Sequence, residues 1–162
     1  MVAREQPLPY DRTLLSKAIP AGDASKFTLR DNDFLQNADI DFLSSESAYR
    51  IKPEEKKVIT NRGKKLIYDK LLIATGSNAW VPPVSGVTMK NVYSLRTAAD
   101  HQKIKDACAN VKDIVIIGAS FIGSECAAAL KMHFKDAVNI HIVNGDQVPF
   151  QLTLGRELGE FY

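Results

Sequence analysis

Residues 113–123 read DIVIIGASFIG, and this stretch decides the fold. Asp113–Ile117 is rich in isoleucine and valine and predicts a strand, which the glycine-bearing turn Gly118–Gly123 follows directly. Beyond the turn, residues 122–135 predict an alanine-rich helix and residues 138–143 predict a second strand. A strand, a helix and a strand in this order form a βαβ unit, so the sequence predicts an α/β protein with a parallel sheet.

The glycine turn has the context that a dinucleotide-binding fingerprint requires, a strand before it and a helix after it. Gly118 suits the tight turn, Gly123 allows close helix–strand contact, and the amides at the helix start would point at a pyrophosphate. Ser120 stands where the pattern has its middle glycine, and its hydroxyl either restricts the approach of a phosphate or hydrogen-bonds it. The alternative is a βαβ unit whose small residues serve only close contact.

The end of the second strand bears on the choice of nucleotide. A carboxylate there would accept the ribose 2′-hydroxyl of NAD, and a nearby arginine would accommodate the 2′-phosphate of NADP. Here the strand ends in Val143, Asn144, Gly145 and Asp146, with no Lys or Arg. Since Asp146 would repel a 2′-phosphate, the sequence favours NAD(H) over NADP(H), with Asn144 as the candidate ribose contact.

Upstream of residue 110 the predicted elements are shorter. Residues 48–51, 57–60 and 65–68 alternate apolar and polar side chains and predict a small antiparallel β-meander. Residues 70–76 form an apolar run that predicts a strand buried on both faces. The other predicted elements are a helical turn at 14–19, a short helix at 31–36, strands at 40–43 and 92–95, and a helix at 97–109.

The composition is that of an ordinary globular protein, with 162 residues, 45% apolar and 25% charged residues, and a net charge of +2. The charges alternate along the chain, which argues against nucleic acid as a partner, and no run approaches the length of a membrane span. No targeting signal is visible, so we expect an intracellular protein, cytoplasmic or mitochondrial. The cysteines Cys108 and Cys126 form no CxxC pair, and no spacing indicates a metal site, so disulfide reduction is not the expected reaction.

Five groups of residues occur in an order and spacing that resemble a known family. They are Leu8–Arg12 with Leu15–Lys17, Tyr68–Ser77, Leu95–Thr97 with Asp100, the glycine turn with Glu125, and Val148–Phe150 with Leu154–Glu157. Together they resemble the FAD- and NAD(P)-dependent pyridine nucleotide-disulphide oxidoreductases, in the apoptosis-inducing factor 3-like and ferredoxin reductase-like branch. The resemblance implies partial FAD- and NAD(P)-binding Rossmann-like domains.

The resemblance also implies roles for individual residues. Lys17 and Glu125 are the implied catalytic pair, and we predict an ion pair between them that joins the two halves of the chain. The implied cofactor contacts are Glu5, Arg12, Lys17, Ala48, Thr75, Gly76, Arg96, Gly118, Ser120, Gly123, Glu125 and Asn144. The alternative is that Arg12, Lys17, Arg96 and Glu125 are solvated surface charges. We interpret His101, His133 and His141 as surface or filler residues, and Cys126 as a core residue.

The implied domains are both partial. Residues 1–110 correspond to an incomplete FAD-binding domain without its first βα unit, and residues 111–162 to the N-terminal βαβ part of an NAD(P)-binding domain. We therefore expect a fragment of a flavoprotein oxidoreductase. Its complete relatives transfer a hydride from NAD(P)H to FAD and pass electrons to an acceptor such as an iron–sulfur protein or a quinone. The chain alone is expected to be inactive, and the alternative is a non-catalytic remnant with weak nucleotide binding.

Overall fold

The computed structural model describes residues 1–20 and 22–161, which form two compact units. The first unit comprises residues 1–10 and 28–78, and the second comprises residues 11–27 and the chain from residue 79 onward. The predicted α/β class is confirmed, because helices accompany an antiparallel sheet in the first unit and a parallel sheet in the second. The functional boundary between residues 110 and 111 stays a prediction.

The elements follow one another along the described chain in a simple order. The helices are α1 (Leu14–Lys17), α2 (Asn32–Asn37), α3 (Ala98–Cys108), α4 (Phe121–Phe134), α5 (Gln151–Leu154) and α6 (Arg156–Phe161). The strands are β1 (Ala48–Lys52), β2 (Lys57–Thr60), β3 (Lys65–Ile67), β4 (Asp113–Ile117) and β5 (Asn139–Val143). The four predicted helices are thus confirmed to within about two residues at each end.

The first unit is built around the predicted meander, which is confirmed. The strands β1, β2 and β3 pair antiparallel in sequence order, with Ile51 opposite Val58 and Val58 opposite Leu66. Val58 and Thr60 of the central strand are buried, so one face of the sheet supplies the core of this unit. The turn between β2 and β3 contains Gly63 at a φ of 81°, a left-handed conformation that favours glycine.

Three predicted strands are wrong. Residues 70–76 have no strand partner within the described chain, and Leu72 and Ile73 are 87% and 63% exposed. Residues 92–95 are likewise irregular, and residues 40–43 are reduced to one parallel bridge between Val2 and Leu43. The physical reason is common to all three: apolar composition favours a buried strand, but a strand forms only where a neighbour accepts its backbone hydrogen bonds.

The second unit holds the parallel pair β4 and β5, with Ile114 opposite Ile140 and Ile116 opposite Ile142. Helix α4 connects the two strands, which confirms the βαβ unit. The core of this unit centres on Ile19, Cys108 and Leu130. The partly buried residues packed against it are Leu95, Ile104, Ile114, Ile116, Cys126, Phe134 and Ile140. The alternate strand residues therefore face this core, as a period of two requires.

The chain after β5 folds into the two short helices α5 and α6, which the sequence patterns did not predict. Gly159 is buried in α6, where a Cβ atom would overlap the Pro149 carbonyl oxygen and the Val148 side chain. Glycine is therefore what lets α6 pack onto residues 148–149. No helix among the described residues is both long and apolar enough to cross a bilayer.

Candidate functional site

The glycine turn has the geometry that the sequence predicted. Gly118 has a φ of 106° and its N–H donates to the Val143 carbonyl over 2.8 Å, which fixes the end of β4 against the end of β5. A Cβ atom on Gly118 would meet nothing within 4 Å, so this glycine is needed for its backbone angle alone. Gly123 is needed for space, because a Cβ atom there would overlap the Gly118 carbonyl oxygen.

The start of α4 presents backbone donors beside this turn. Ser120 is the N-cap residue, it is exposed, and its side chain makes no capping hydrogen bond. The N–H groups of Phe121, Ile122 and Gly123 occupy the first turn of the helix and have no acceptor within it. Because the helix dipole also places partial positive charge here, this turn can hold an anionic group such as a phosphate.

Asn144 ties the end of β5 to the same turn. Its Oδ1 accepts from the Ala119 N–H over 3.4 Å, and its Nδ2 donates to the carbonyls of Asp146 and Val148 over 3.2 and 3.5 Å. The Phe150 N–H donates to the Ala119 carbonyl over 3.0 Å. The side-chain amide of Asn144 therefore holds the turn in place through backbone groups on both sides of it.

The predicted ion pair between Lys17 and Glu125 is confirmed. Lys17 Nζ lies 3.0 Å from Glu125 Oε1, and the two side chains are 48% and 31% exposed. The other carboxylate oxygen, Oε2, accepts a hydrogen bond from Ser16 Oγ over 2.5 Å. The Ser16 hydroxyl, and after it the Lys17 ammonium, lower the pKa of Glu125 below its ordinary value. Both partners lie within the second unit, so the pair joins α1 to α4.

A buried histidine, whose contacts the sequence did not predict, holds helix α1 in place. His101 was expected to be a surface or filler residue, but it is fully buried. Its Nδ1 lies 2.9 Å from the Leu15 carbonyl oxygen and its Nε2 lies 3.3 Å from that of Gly22. Since Leu15 directly precedes Ser16 and Lys17, His101 helps to position the residues that contact Glu125.

The start of α3 is fixed by a capping box and also contacts Arg12. The Thr97 side chain accepts from the Asp100 N–H over 3.1 Å, and the Asp100 carboxylate accepts from the Thr97 N–H over 2.9 Å. Arg12 Nη1 donates to the Arg96 carbonyl oxygen. Arg12 and Arg96 are therefore brought together within the second unit, although the contact runs through the backbone of Arg96 rather than its side chain.

The remaining predicted residues lie in the first unit. Tyr10 donates its hydroxyl to Glu5 Oε2 over 2.5 Å. Ala48 is exposed at the start of β1. Thr75 and Gly76 are exposed in an irregular segment, with Gly76 at a φ of 64°. The expectation that Thr75 and Gly76 follow a buried strand is wrong, since the run before them is neither paired nor buried.

Cys126 follows Glu125 on α4, and its environment agrees with the interpretation that it is a core residue. Burial raises the pKa of the Cys126 thiol to about 11, with smaller contributions from the charge of Glu125 and from Cys108. Burial also raises the pKa of Cys108. Both thiols are therefore protonated at neutral pH, and a protonated thiol is a poor nucleophile.

Two residues of this site were not assigned a role from the sequence. Ser16 stands beside Lys17 in a predicted helical turn, and that adjacency was the one available signal that it could contact the same partner. His101 lies one position after the capping residue Asp100, but no sequence pattern indicates which carbonyl groups a buried imidazole will contact. The contacts of His101 follow from tertiary structure alone.

The sequence profile of the family described as pyridine nucleotide-disulphide oxidoreductase matches residues 1–162 of this chain. Apoptosis-inducing factor 3 from Mus musculus is 33% identical over 152 residues, which cover 94% of this chain and 24% of that protein. The ferredoxin–NAD(+) reductase subunit of the benzene 1,2-dioxygenase system of Pseudomonas putida is 29% identical over 160 residues, covering 98% of this chain and 38% of that protein. These similarities confirm the resemblance drawn from the five groups of residues.

The fold agrees with solved reductase structures as well. The crystal structure of a ferredoxin reductase from Rhodopseudomonas palustris matches with a TM-score of 0.90 and 26% identity, covering 99% of this chain and 39% of that chain. This chain therefore spans about a quarter to two-fifths of the length of these three proteins. The match supports the predicted fold class, a Rossmann-type α/β arrangement accompanied by a small antiparallel sheet.

Proposed function

The chain belongs to the pyridine nucleotide-disulphide oxidoreductase family, and we propose that it serves hydride transfer from a nicotinamide dinucleotide to FAD. The observation that carries this proposal is the ion pair between Lys17 and Glu125. It joins a residue of the segment that the family resemblance assigns to the flavin with a residue two positions beyond the glycine turn. Residues 1–110 then serve FAD and residues 111–162 serve the nicotinamide nucleotide.

The glycine turn is the proposed phosphate site for the nucleotide. Three backbone N–H groups at the start of α4 are available to a pyrophosphate, and the left-handed backbone of Gly118 leaves the turn open above them. The Ser120 hydroxyl is exposed at the same place and can donate to a phosphate oxygen. The donor set therefore fits a dinucleotide at the position where the family binds one.

Lys17, Arg12 and Glu125 supply the charges of the proposed reaction site. When FAD and a nicotinamide nucleotide are bound, they supply the redox chemistry of hydride transfer. Lys17 and Arg12 are cations suited to an isoalloxazine ring system that becomes more negative on reduction. Glu125 holds the Lys17 ammonium at 3.0 Å and accepts from Ser16, so the cation is oriented before any substrate arrives.

NAD(H) is the proposed nucleotide in preference to NADP(H). Asn144 and Asp146 stand at the end of β5 where the ribose of the nucleotide is expected, and neither offers positive charge to a 2′-phosphate. The Asn144 amide is already bonded to backbone groups, so its proposed contribution to the ribose is to set the shape of the loop.

The proposed electron acceptor is an iron–sulfur protein of the ferredoxin type, with a quinone as the alternative. The Pseudomonas putida relative is by name a ferredoxin–NAD(+) reductase subunit, and the solved Rhodopseudomonas palustris structure is by name a ferredoxin reductase. The two cysteines of this chain form no CxxC motif, and burial raises the pKa of both thiols. The two thiols therefore lack the CxxC spacing and the lowered pKa of a dithiol that passes electrons to a disulfide substrate.

The test is anaerobic reduction of the FAD-loaded protein by NADH, followed by flavin absorbance near about 450 nm. We expect Glu125→Gln to slow reduction by about ten- to a hundredfold, which corresponds to losing one charged hydrogen bond that orients Lys17. Glu157→Gln is the control, because Glu157 is an exposed acid of α6 outside the site. Equal rates for the two variants, or no reduction in the unaltered protein, would contradict the proposal.

Nucleotide binding without flavin turnover is the second candidate function. It is favoured by the exposure of Thr75 and Gly76, which the family resemblance places close to FAD, and of the run before them, which has no sheet partner within the described chain. Calorimetry with NADH in the absence of flavin distinguishes the two functions. Binding of NADH by a protein that takes up no FAD would support this candidate and overturn the first.

A further inference from the structure

One segment of the first unit, residues 50–70, carries an excess of positive charge. Residues 50–70 contain eight Lys and Arg against three Asp and Glu, although the whole chain has a net charge of only +2. These residues form most of the antiparallel meander. The sequence shows this local excess of Lys and Arg, and the strand pairing shows which of these residues share one face of the sheet.

The strand register places four of these eight cations on one face of the sheet. Residues paired across neighbouring strands point to the same side, and residues two apart along a strand do so as well. Ile59 is paired with Arg50 on one side and Lys65 on the other, and Lys57 is paired with Lys52 and Ile67 in the same way. The two rows share one side of the sheet, which we call the cationic face: Arg50, Lys52, Lys57, Ile59, Lys65 and Ile67.

The cationic face is directed to solvent because the opposite side of the sheet packs against the core of the first unit. Val58 and Thr60 alternate with Lys57 and Ile59 on β2, and both are buried. The core of the first unit therefore lies behind the sheet, and the cationic face lies in front. Ile67 is 71% exposed within this face, which adds an apolar contact point to the charges.

One carboxylate organises part of the face without neutralising it. Glu55 lies 2.7 Å from Lys52 Nζ and also pairs with Lys57, and these two lysines lower its pKa to about 2. Glu55 therefore stays ionised and holds both ammonium groups in place. Arg50 and Lys65 are exposed and form no ion pair among the described residues.

We propose that the cationic face docks an acidic surface patch of a partner protein. Like charges placed side by side on a sheet repel one another, and an opposed row of carboxylates relieves that repulsion. Two isoleucines between the cations favour a protein over a nucleic acid, because protein interfaces combine an apolar centre with surrounding charge. Neighbouring strands are about 4.8 Å apart, so three of them give a small face suited to a weak, charge-steered contact.

The test measures binding of a fluorescein-labelled poly-L-glutamate peptide of about 20 residues by anisotropy at low and at about 200 mM salt. We expect the unaltered protein to bind the peptide with an affinity that falls as salt rises. The double variant Arg50→Glu with Lys65→Glu should bind it about tenfold more weakly, or worse. The double variant Lys103→Glu with Lys112→Glu is the control, since both lysines are exposed in the second unit and the net charge changes equally. The dissociation constant of the control variant should stay within about threefold of that of the unaltered protein.

A second double variant distinguishes loss of charge from loss of fold. Arg50→Gln with Lys65→Gln removes the charges without reversing them and should give an intermediate loss, with the circular dichroism spectrum unchanged. Equal losses in the reversal and control variants would overturn the proposal, since net charge alone would then explain binding. Tighter binding of a single-stranded oligonucleotide of equal charge through Arg50 and Lys65 would also overturn it, in favour of nucleic acid. Because the test involves neither flavin nor NADH, its outcome is independent of the proposed oxidoreductase function.

Discussion

Ser16 and Glu125 lie 109 positions apart in the sequence, yet Ser16 Oγ donates to Glu125 Oε2 over 2.5 Å. The next residue of α1, Lys17, approaches the other oxygen of the same carboxylate at 3.0 Å. Two consecutive side chains of a four-residue helix therefore bind one acid on α4. This arrangement fixes the position of the Lys17 ammonium more tightly than a single exposed ion pair would.

Ser16→Ala should raise the pKa of Glu125 toward its ordinary value of 4.5, because the Ser16 hydroxyl is the largest cause of the lowered pKa. The side-chain carboxyl of Glu125 can be titrated by carbon-13 NMR in both proteins. Ser94→Ala is the matched control, since Ser94 is exposed in an irregular segment and has no contact with Glu125. An unchanged titration midpoint in Ser16→Ala would show that Lys17 alone sets the charge of Glu125.

The lowered pKa of Glu125 also fixes the sign of a pH effect. Since folding lowers this pKa, the ionised carboxylate stabilises the fold at any pH above its ordinary value of 4.5. That stabilisation is lost as the pH falls through the lowered pKa. The difference in unfolding free energy between the unaltered protein and Glu125→Gln should be constant from about pH 6 to 8 and shrink below about pH 4.

Replacing each of the two glycines of the turn by alanine should destabilise the protein to a different extent. Gly118→Ala meets open space but keeps a φ of 106°, so we expect a cost of about 1–2 kcal/mol in unfolding free energy. Gly123→Ala would overlap the Gly118 carbonyl oxygen, so α4 must move away from β4, at a cost of about 3 kcal/mol or more. Urea denaturation measures both values, and NADH titration should show the larger loss of affinity in Gly123→Ala.

Gly145→Ala provides the control for this pair. A Cβ atom on Gly145 meets nothing within 4 Å, and its φ lies outside the left-handed region, so alanine should be tolerated. Equal destabilisation by Gly118→Ala and Gly123→Ala would mean that α4 moves away from β4 at little cost, so that close contact between helix and strand is not what requires glycine at position 123.

The sequence was sufficient to predict the elements whose causes are local. The glycine turn follows from two glycines placed between a strand and a helix, and the meander follows from alternation interrupted by turn residues. The helix predicted at residues 97–109 is α3, and the capping box of Thr97 and Asp100 fixes its start locally. In each case the residues that cause the structure lie within a few positions of it.

The sequence was insufficient where structure depends on a distant partner. Residues 70–76 have the composition of a central strand, but composition does not specify which neighbour accepts the backbone hydrogen bonds. The cationic face is a second case, since the mixed charges of residues 54–57 do not show which cations the strand register brings to one side of the sheet. The ion pair of Lys17 and Glu125 was predicted only because the family resemblance supplied the long-range information.

His101→Ala should destabilise the second unit by about 2–4 kcal/mol, because it leaves a cavity and removes the partner of the buried Leu15 carbonyl. Since Leu15 precedes Ser16, the same variant should also move the pKa of Glu125 toward its ordinary value. His133→Ala is the control, as His133 is exposed on α4. Loss of stability without any change in the titration of Glu125 would assign His101 to the core alone.

Cys126 should react slowly with thiol reagents although it neighbours the charged site. Burial is the main cause that raises the pKa of its thiol to about 11, so only about one thiol in a thousand is ionised at pH 8. We expect the native protein to react with a disulfide reagent at pH 8 about a hundredfold more slowly than the same protein in guanidinium chloride. Glu125→Gln should accelerate the native reaction modestly, because the Glu125 charge is the second cause of the raised pKa. Rapid labelling of Cys126 in the native protein, located by mass spectrometry, would show that α4 opens readily and that the carboxylate of Glu125 is not held as the structure places it.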